Sequence, residues 1–119
     1  MQIEMDKLFK DINLIISKNL RFKQALYYAS YIHFIFAKIH PFADGNGRAA
    51  RLIEKWFLAE IFGDSVWGIP AEKYYYDNRQ DYYKSLNIGV NYYETLEHLD
   101  KALPFLMLLP KAVCYNPVD

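Results

Sequence analysis

His40, Asp44, Arg48 and Arg51 stand within twelve residues, in the stretch HPFADGNGRAAR, and Gly45, Asn46 and Gly47 lie among them. The residue types suit anion chemistry. Gly45, Asn46 and Gly47 tolerate left-handed backbone angles, so successive N–H groups can turn toward one point. A helix opening just after them adds its unpaired N–H groups and its positive dipole end. Arg48 and Arg51, spaced i and i+3, share one face of that first turn. Arginine makes forked contacts with phosphate. Asp44 alone would oppose an anion, and a divalent cation resolves that conflict. Magnesium takes one or two carboxylates plus phosphate oxygens and water. The stretch therefore reads as a site for magnesium and a polyphosphate. His40 adds a base: a neutral imidazole can take a proton from an attacking hydroxyl. Phosphoryl-type transfer needs little beyond that, apart from alignment and charge neutralisation. Phe42 is expected to point into the core and pin the loop.

Three rival readings fail on the residues. Asp-Gly and Asn-Gly mark hairpins only between alternating strands, and both flanks here are helical. A calcium loop needs oxygen ligands at positions 1, 3 and 5 and a glutamate at 12. With Asp44 first, position 5 is Arg48 and position 12 is Lys55. With Asp44 fifth, position 1 is His40 and position 12 is Arg51. A Walker loop ends in Gly-Lys-Ser/Thr, which is absent.

The elements that must position these residues follow from spacing. Ile3 to Lys18 reads as a helix with Ile3, Leu8, Ile12, Ile15 and Ile16 on one side, and Asn19 stops it. Phe22 to Ile39 is apolar almost all round, interrupted by Ser30, His33 and Lys38, which suits a central helix of a bundle. Pro41 ends it, and His40 is expected to turn toward an extended shape. A second helix starts near Arg48 and runs to Gly63. GDSVWGIP reads as a loop with one short extended piece. A helix follows over 71–87, with Tyr75, Tyr82 and Leu86 inward. Residues 92–99 and 102–113 read as short closing helices, with Pro104 in a first turn. No segment alternates with period two, so the class is all-α, a compact helical bundle with the loop between two central helices.

Composition limits the partners. The chain has 119 residues, 53% hydrophobic, with a formal net charge of +0. That size fits one domain, and the balance excludes a broad grip on a nucleic-acid backbone. The single cysteine, Cys114, reads as a small hydrophobe in a reducing compartment. The first twenty residues lack the apolar core of a signal peptide, and LPFLMLLP falls far short of a membrane span. A cytoplasmic protein without membrane contact is expected, and delivery into another cell is compatible with it. His33 reads as a satisfied core histidine and His98 as a surface one. Glu54 and Lys55 read as an exposed face, and the cluster Tyr74, Tyr75, Tyr76, Tyr82 and Tyr83 mostly as packing.

HPFADGNGRAAR resembles the signature of the Fic family, His-Pro-Phe-x-Asp/Glu-Gly-Asn-Gly-Arg-x-x-Arg, at every defined position. The flanking YIHFIFAKI and RLIEKWFLAEIF, and the later NRQDYYKSL, are similar to that family too, over roughly residues 22–109. The resemblance implies a Fic fold and transfer of AMP from ATP, with Mg2+, to a Ser, Thr or Tyr hydroxyl of a target protein. It implies His40 as base and Asp44 as magnesium ligand. Gly45, Asn46 and Gly47 would cradle the phosphates, and Arg48 and Arg51 would hold the outer ones. Related Doc kinases carry lysine at the position of Gly47 and transfer the terminal phosphate, so glycine favours nucleotidyl transfer. Tyr82 and Tyr83 are candidates to wall the adenine, with Asn78 and Arg79 shaping that side. The same site type can take another pyrophosphate-containing donor, or serve as a nucleotide-binding module without transfer. One domain is expected over 1–119, its core 22–109, without the family's upstream β-hairpin flap, because residues 1–21 read as helix and turn. No Ser or Thr is followed four residues later by Glu, as in the family's inhibitory helix. Restraint is therefore expected from an antitoxin-like partner or from sequence outside the chain.

Overall fold

The computed structural model describes residues 2–86, 93 and 102–115. Every regular element among them is helical. The chain forms α1 (Gln2–Ile16), α2 (Phe22–Ile39), α3 (Asn46–Phe62), a 3-10 turn (Asp64–Gly68), α4 (Ala71–Asp77), α5 (Arg79–Leu86), α6 (Leu103–Leu106) and α7 (Leu108–Val113). The all-α bundle expected from periodicity is the observed fold. None of these helices is long and apolar enough to cross a membrane.

The centre of the bundle is α2. Its residues 32–36 are all buried, so it presents core on every side. It packs most extensively on α3 and also touches α1, α6 and α7. A helix that is apolar all round has no other stable place. At its start, the Arg21 N–H donates to Gln24 Oε1 at 3.0 Å, closing one half of a capping box. Phe34 and Phe36 of α2, Phe57 and Leu58 of α3, Phe105 of α6 and Leu109 of α7 are almost fully enclosed.

On α1 the buried stripe is Leu8, Ile12 and Ile15. Ile16 is half-buried, and Ile3 is 80% exposed. Ile3 precedes Leu8 by five residues, which at 100° per residue puts it about 140° round the helix from the stripe. The helix also ends at Ile16, before Lys18.

Three further boundaries differ from expectation. Asp64–Gly68 is a 3-10 turn rather than an extended piece, and it tucks Val66 into the core. The helix expected over 71–87 is two helices. Asn78 breaks it: its backbone N–H and its side-chain Nδ2 both donate to the Tyr74 carbonyl, each at 3.0 Å. An Asn side chain that competes for a helical carbonyl favours such a stop. Tyr75 and Tyr82 still point inward as expected, and Leu86 is half-buried. Third, 102–113 folds as two short helices, with Pro104 in the first turn of α6 as expected. Cys114 is exposed, because it stands past the end of α7 after the buried Ala112. The expectations for His98 and for a helix over 92–99 lie outside the described residues, apart from the exposed Tyr93.

Candidate functional site

The connection between α2 and α3 is closed at both ends by left-handed residues. His40 ends α2 with φ 55° and ψ 58°, and its N–H donates to the Phe36 carbonyl. It does not extend as the following proline predicts. The left-handed turn supplies the C-terminal cap of the buried helix, and that bond outweighs the local preference. Gly45, at φ 81°, starts α3. Asn46 and Gly47 already belong to the helix, two residues earlier than expected, so only Gly45 of the three uses its freedom.

Between these ends the loop is tied by Asn46. Its Oδ1 accepts the Phe42 N–H at 2.9 Å, and its Nδ2 donates to the Phe42 carbonyl at 2.7 Å. The Phe42 ring is 53% exposed and meets Phe36 at its rim, with ring centres 6.2 Å apart. The expectation that Phe42 anchors the loop by burial is therefore corrected. The anchor is the buried Asn46 side chain acting on the Phe42 backbone. These two bonds hold the carboxamide in place and use one of its two N–H donors and one oxygen lone pair.

The helix start leaves donors open. Ala49 N–H closes the first turn on the Gly45 carbonyl at 3.0 Å. The N–H groups of Asn46, Gly47 and Arg48 precede that closure, as the first donors of any helix do. The Gly45 N–H donates to Asp44 Oδ1 at 2.8 Å, and Asp44 is exposed. Its other carboxylate oxygen stays available to a cation. Among the described residues no three His, Cys, Asp or Glu side chains cluster to hold a metal. The fit is to magnesium bound by one carboxylate together with phosphate oxygens, not to a metal site made by protein alone.

The arginines lie over the glycines. A Cβ on Gly45 would sit 3.4 Å from Arg48 Nη2, and one on Gly47 3.2 Å from Arg51 Nη1. Both arginines border a cavity of about 630 Å3. Tyr75, Tyr76, Tyr82 and Tyr83 supply its aromatic wall, and Leu52, Glu72 and Arg79 complete it. The sequence-selected Arg48, Arg51, Tyr82, Tyr83 and Arg79 thus share one cavity, whereas Asn78 does not border it. Tyr83 is half exposed and Tyr82 almost wholly buried.

Beneath this cavity lies a polar cluster that spacing did not reveal. Glu54, expected on an exposed face, is 2% exposed. Tyr75 donates to both of its oxygens, at 2.9 and 3.2 Å. His33 Nδ1 lies 3.2 Å from Glu54 Oε1, near enough for an ion pair but not aligned as a hydrogen bond. His33 Nε2 is 2.7 Å from the Tyr82 hydroxyl. The rings of Tyr75, Tyr82 and Phe105 surround the imidazole, with centres 5.0 to 5.6 Å away. His33 is the core histidine expected, but only half satisfied: Nε2 has the Tyr82 hydroxyl, while the buried Nδ1 has no aligned partner. Burial pushes the Tyr82 hydroxyl up to about 12, and the nearby Arg51 guanidinium opposes that rise. Burial also raises Tyr75 well above its usual value, with the Glu54 charge adding to it. Both hydroxyls keep their protons at neutral pH. Lys55 is half-buried, its Nζ 3.6 Å from Glu72 Oε1. The signal for Glu54 was in the pattern: Ala50, Glu54, Phe57 and Leu58 form the inward stripe of α3, and a carboxylate in that stripe needs partners from another element.

Comparison with known proteins joins this geometry to a family. Residues 1–58 match the model of the Fic/DOC family. The chain is 34% identical over 73 residues to a protein named "Protein adenylyltransferase Fic" from Nematostella vectensis, a match covering 61% of this chain and 16% of that protein. It is 33% identical over 66 residues to a Fido domain-containing protein from Dictyostelium discoideum, covering 56% of this chain and 42% of that one. The chain therefore spans less than half the length of either relative. No solved structure matches it.

Proposed function

We propose that this chain, which belongs to the Fic/DOC family through residues 1–58, is a magnesium-dependent protein adenylyltransferase. The observation that carries the reading is the junction of α2 and α3. One connection carries an exposed imidazole, an exposed carboxylate and the open N–H end of a helix, and the two arginines that follow border an aromatic-walled cavity. The name of the Nematostella relative supports the donor as ATP.

In this reading the adenine enters the cavity against Tyr83, with the Tyr82 ring behind it. The N–H groups of Asn46, Gly47 and Arg48 receive the phosphates, and Arg48 and Arg51 hold the outer two. Asp44 would hold magnesium, which would supply charge neutralisation. His40 takes the proton of a target Ser, Thr or Tyr hydroxyl. The hydroxyl oxygen forms its bond to the α-phosphorus, the bond to the bridging oxygen breaks, and pyrophosphate leaves with its electron pair. The fixed N–H groups and guanidinium groups stabilise the charge that develops there.

The test is a pair of labelling reactions in cell extract. ATP labelled on the α-phosphate should leave protein-bound label that disappears with EDTA. Label from the γ-phosphate alone would move the chain to the kinase branch. No label from either, with ATP still bound, would mark a binding module.

Gly47 gives a second check. Gly47→Ala adds a methyl 3.2 Å from Arg51 Nη1, and the long arginine can yield. Alanine is the better helix former by roughly 0.5–1 kcal/mol. The variant should melt no lower than the parent, yet bind MgATP about 3-fold more weakly. Calorimetric titration and a melting curve read the two effects. Unchanged affinity would remove Gly47 from the phosphate site.

A further inference from the structure

Glu54 and Arg51 are three residues apart, on one side of α3. Arg51 borders the cavity with Tyr75 and Tyr82. Glu54 lies behind them, bonded by the Tyr75 hydroxyl and 3.2 Å from His33. His33 in turn is 2.7 Å from the Tyr82 hydroxyl. From this chain of contacts we propose that Glu54 is a positioning residue for Arg51, acting through His33 and the Tyr82 hydroxyl. The inference rests on the reading of Arg51 as an outer-phosphate ligand.

The donor count gives the chain a direction. Arginine has donors only. A Tyr82 oxygen that receives an Arg51 N–H has its own hydrogen left for His33 Nε2. The other ring nitrogen then carries a hydrogen toward Glu54, as in a histidine oriented by a carboxylate. Every group except the guanidinium is buried, and Tyr75 donates to the carboxylate from the second side. The guanidinium lies over Gly47, where an added Cβ would sit 3.2 Å from Nη1, and borders the cavity beside Tyr75 and Tyr82. Such a clamp removes rotamer freedom before the ligand arrives, so phosphate binding does not have to supply that ordering. A cluster built only to satisfy a buried glutamate would have no reason to affect outer phosphates more than the rest of the nucleotide.

That difference is measurable. Tyr82→Phe deletes the hydroxyl and keeps the ring, and Glu54→Gln keeps the shape without the charge. Each is compared with the parent for binding of ATP and of AMP, both with magnesium, by calorimetric titration. Each should weaken ATP about 5–10-fold and AMP less than about 2-fold. In an Arg51→Ala background, Tyr82→Phe should add less than about 2-fold, because the group it positions is gone. Equal losses for ATP and AMP, or effects that simply multiply with Arg51→Ala, would overturn the proposal. Should Glu54→Gln fail to fold, Tyr82→Phe alone carries the test. If Arg51→Ala leaves the ATP to AMP ratio unchanged, the phosphate role of Arg51 is wrong and the positioning role falls with it. If Arg51→Ala changes the ratio and Tyr82→Phe does not, only the positioning role falls.

Discussion

His40→Ala is expected to slow transfer of the α-label by about 10²–10⁴-fold, the range for loss of a positioned general base, and to leave MgATP affinity within about 2-fold. The geometry explains both halves. The imidazole is exposed at the end of α2, while the donors assigned to phosphate belong to α3. The helix cap uses the backbone N–H of residue 40, which alanine retains. The fold and the nucleotide pocket should therefore survive the change. Initial rates with saturating MgATP, set beside calorimetric affinities, separate the two. A rate within about 3-fold of the parent would remove His40 from the chemistry. An equal loss of affinity and rate would instead mean that it binds the donor.

The second large effect concerns stability. Glu54→Ala should lower the unfolding free energy by about 3 kcal/mol, the range for breaking a buried, hydrogen-bonded cluster. At this chain length that is a fall of about 10 °C in Tm. The change strips the Tyr75 hydroxyl of its acceptor and His33 Nδ1 of its facing carboxylate, and it leaves a cavity among Phe57, Leu58 and Ala50. The exposed Glu60 on the same helix is the control, and Glu60→Ala should stay within about 0.5 kcal/mol of the parent. Similar losses for the two variants would mean that Glu54 contributes no more than a surface residue.

Much of this molecule is legible in local sequence, and the pattern of what is not has a physical cause. The ends of α2 coincide with Phe22 and Ile39, because a run apolar on every side meets a proline just beyond. The residues from His40 to Arg51 stand out because an imidazole, a carboxylate, two glycines and two arginines fall within twelve residues around a helix start. The arginine-to-tyrosine cavity is half legible: Tyr82 and Tyr83 were selected, yet the share of Glu72 and Tyr76 depends on how α4 crosses α3. Glu54 was misread because its partners lie 21 residues away on either side, His33 on α2 and Tyr75 on α4. Taken singly, a glutamate beside a lysine looks like surface. Only its register with Ala50, Phe57 and Leu58 says otherwise. Phe42 fails for the complementary reason. Its hydrophobicity points inward, but the Asn46 side chain had already taken its backbone and fixed the direction of its ring.

The positive φ at His40 bears on how this chain can drift under mutation. A side chain in the left-handed region costs roughly 1–2 kcal/mol relative to glycine, and a following proline narrows the choice further. Selection for thermal robustness alone would favour glycine at position 40. Imidazole stands there instead. With His40 as the proposed base, position 40 is a point where function and stability pull apart, and a library screened only for resistance to heat should collect replacements first at this residue.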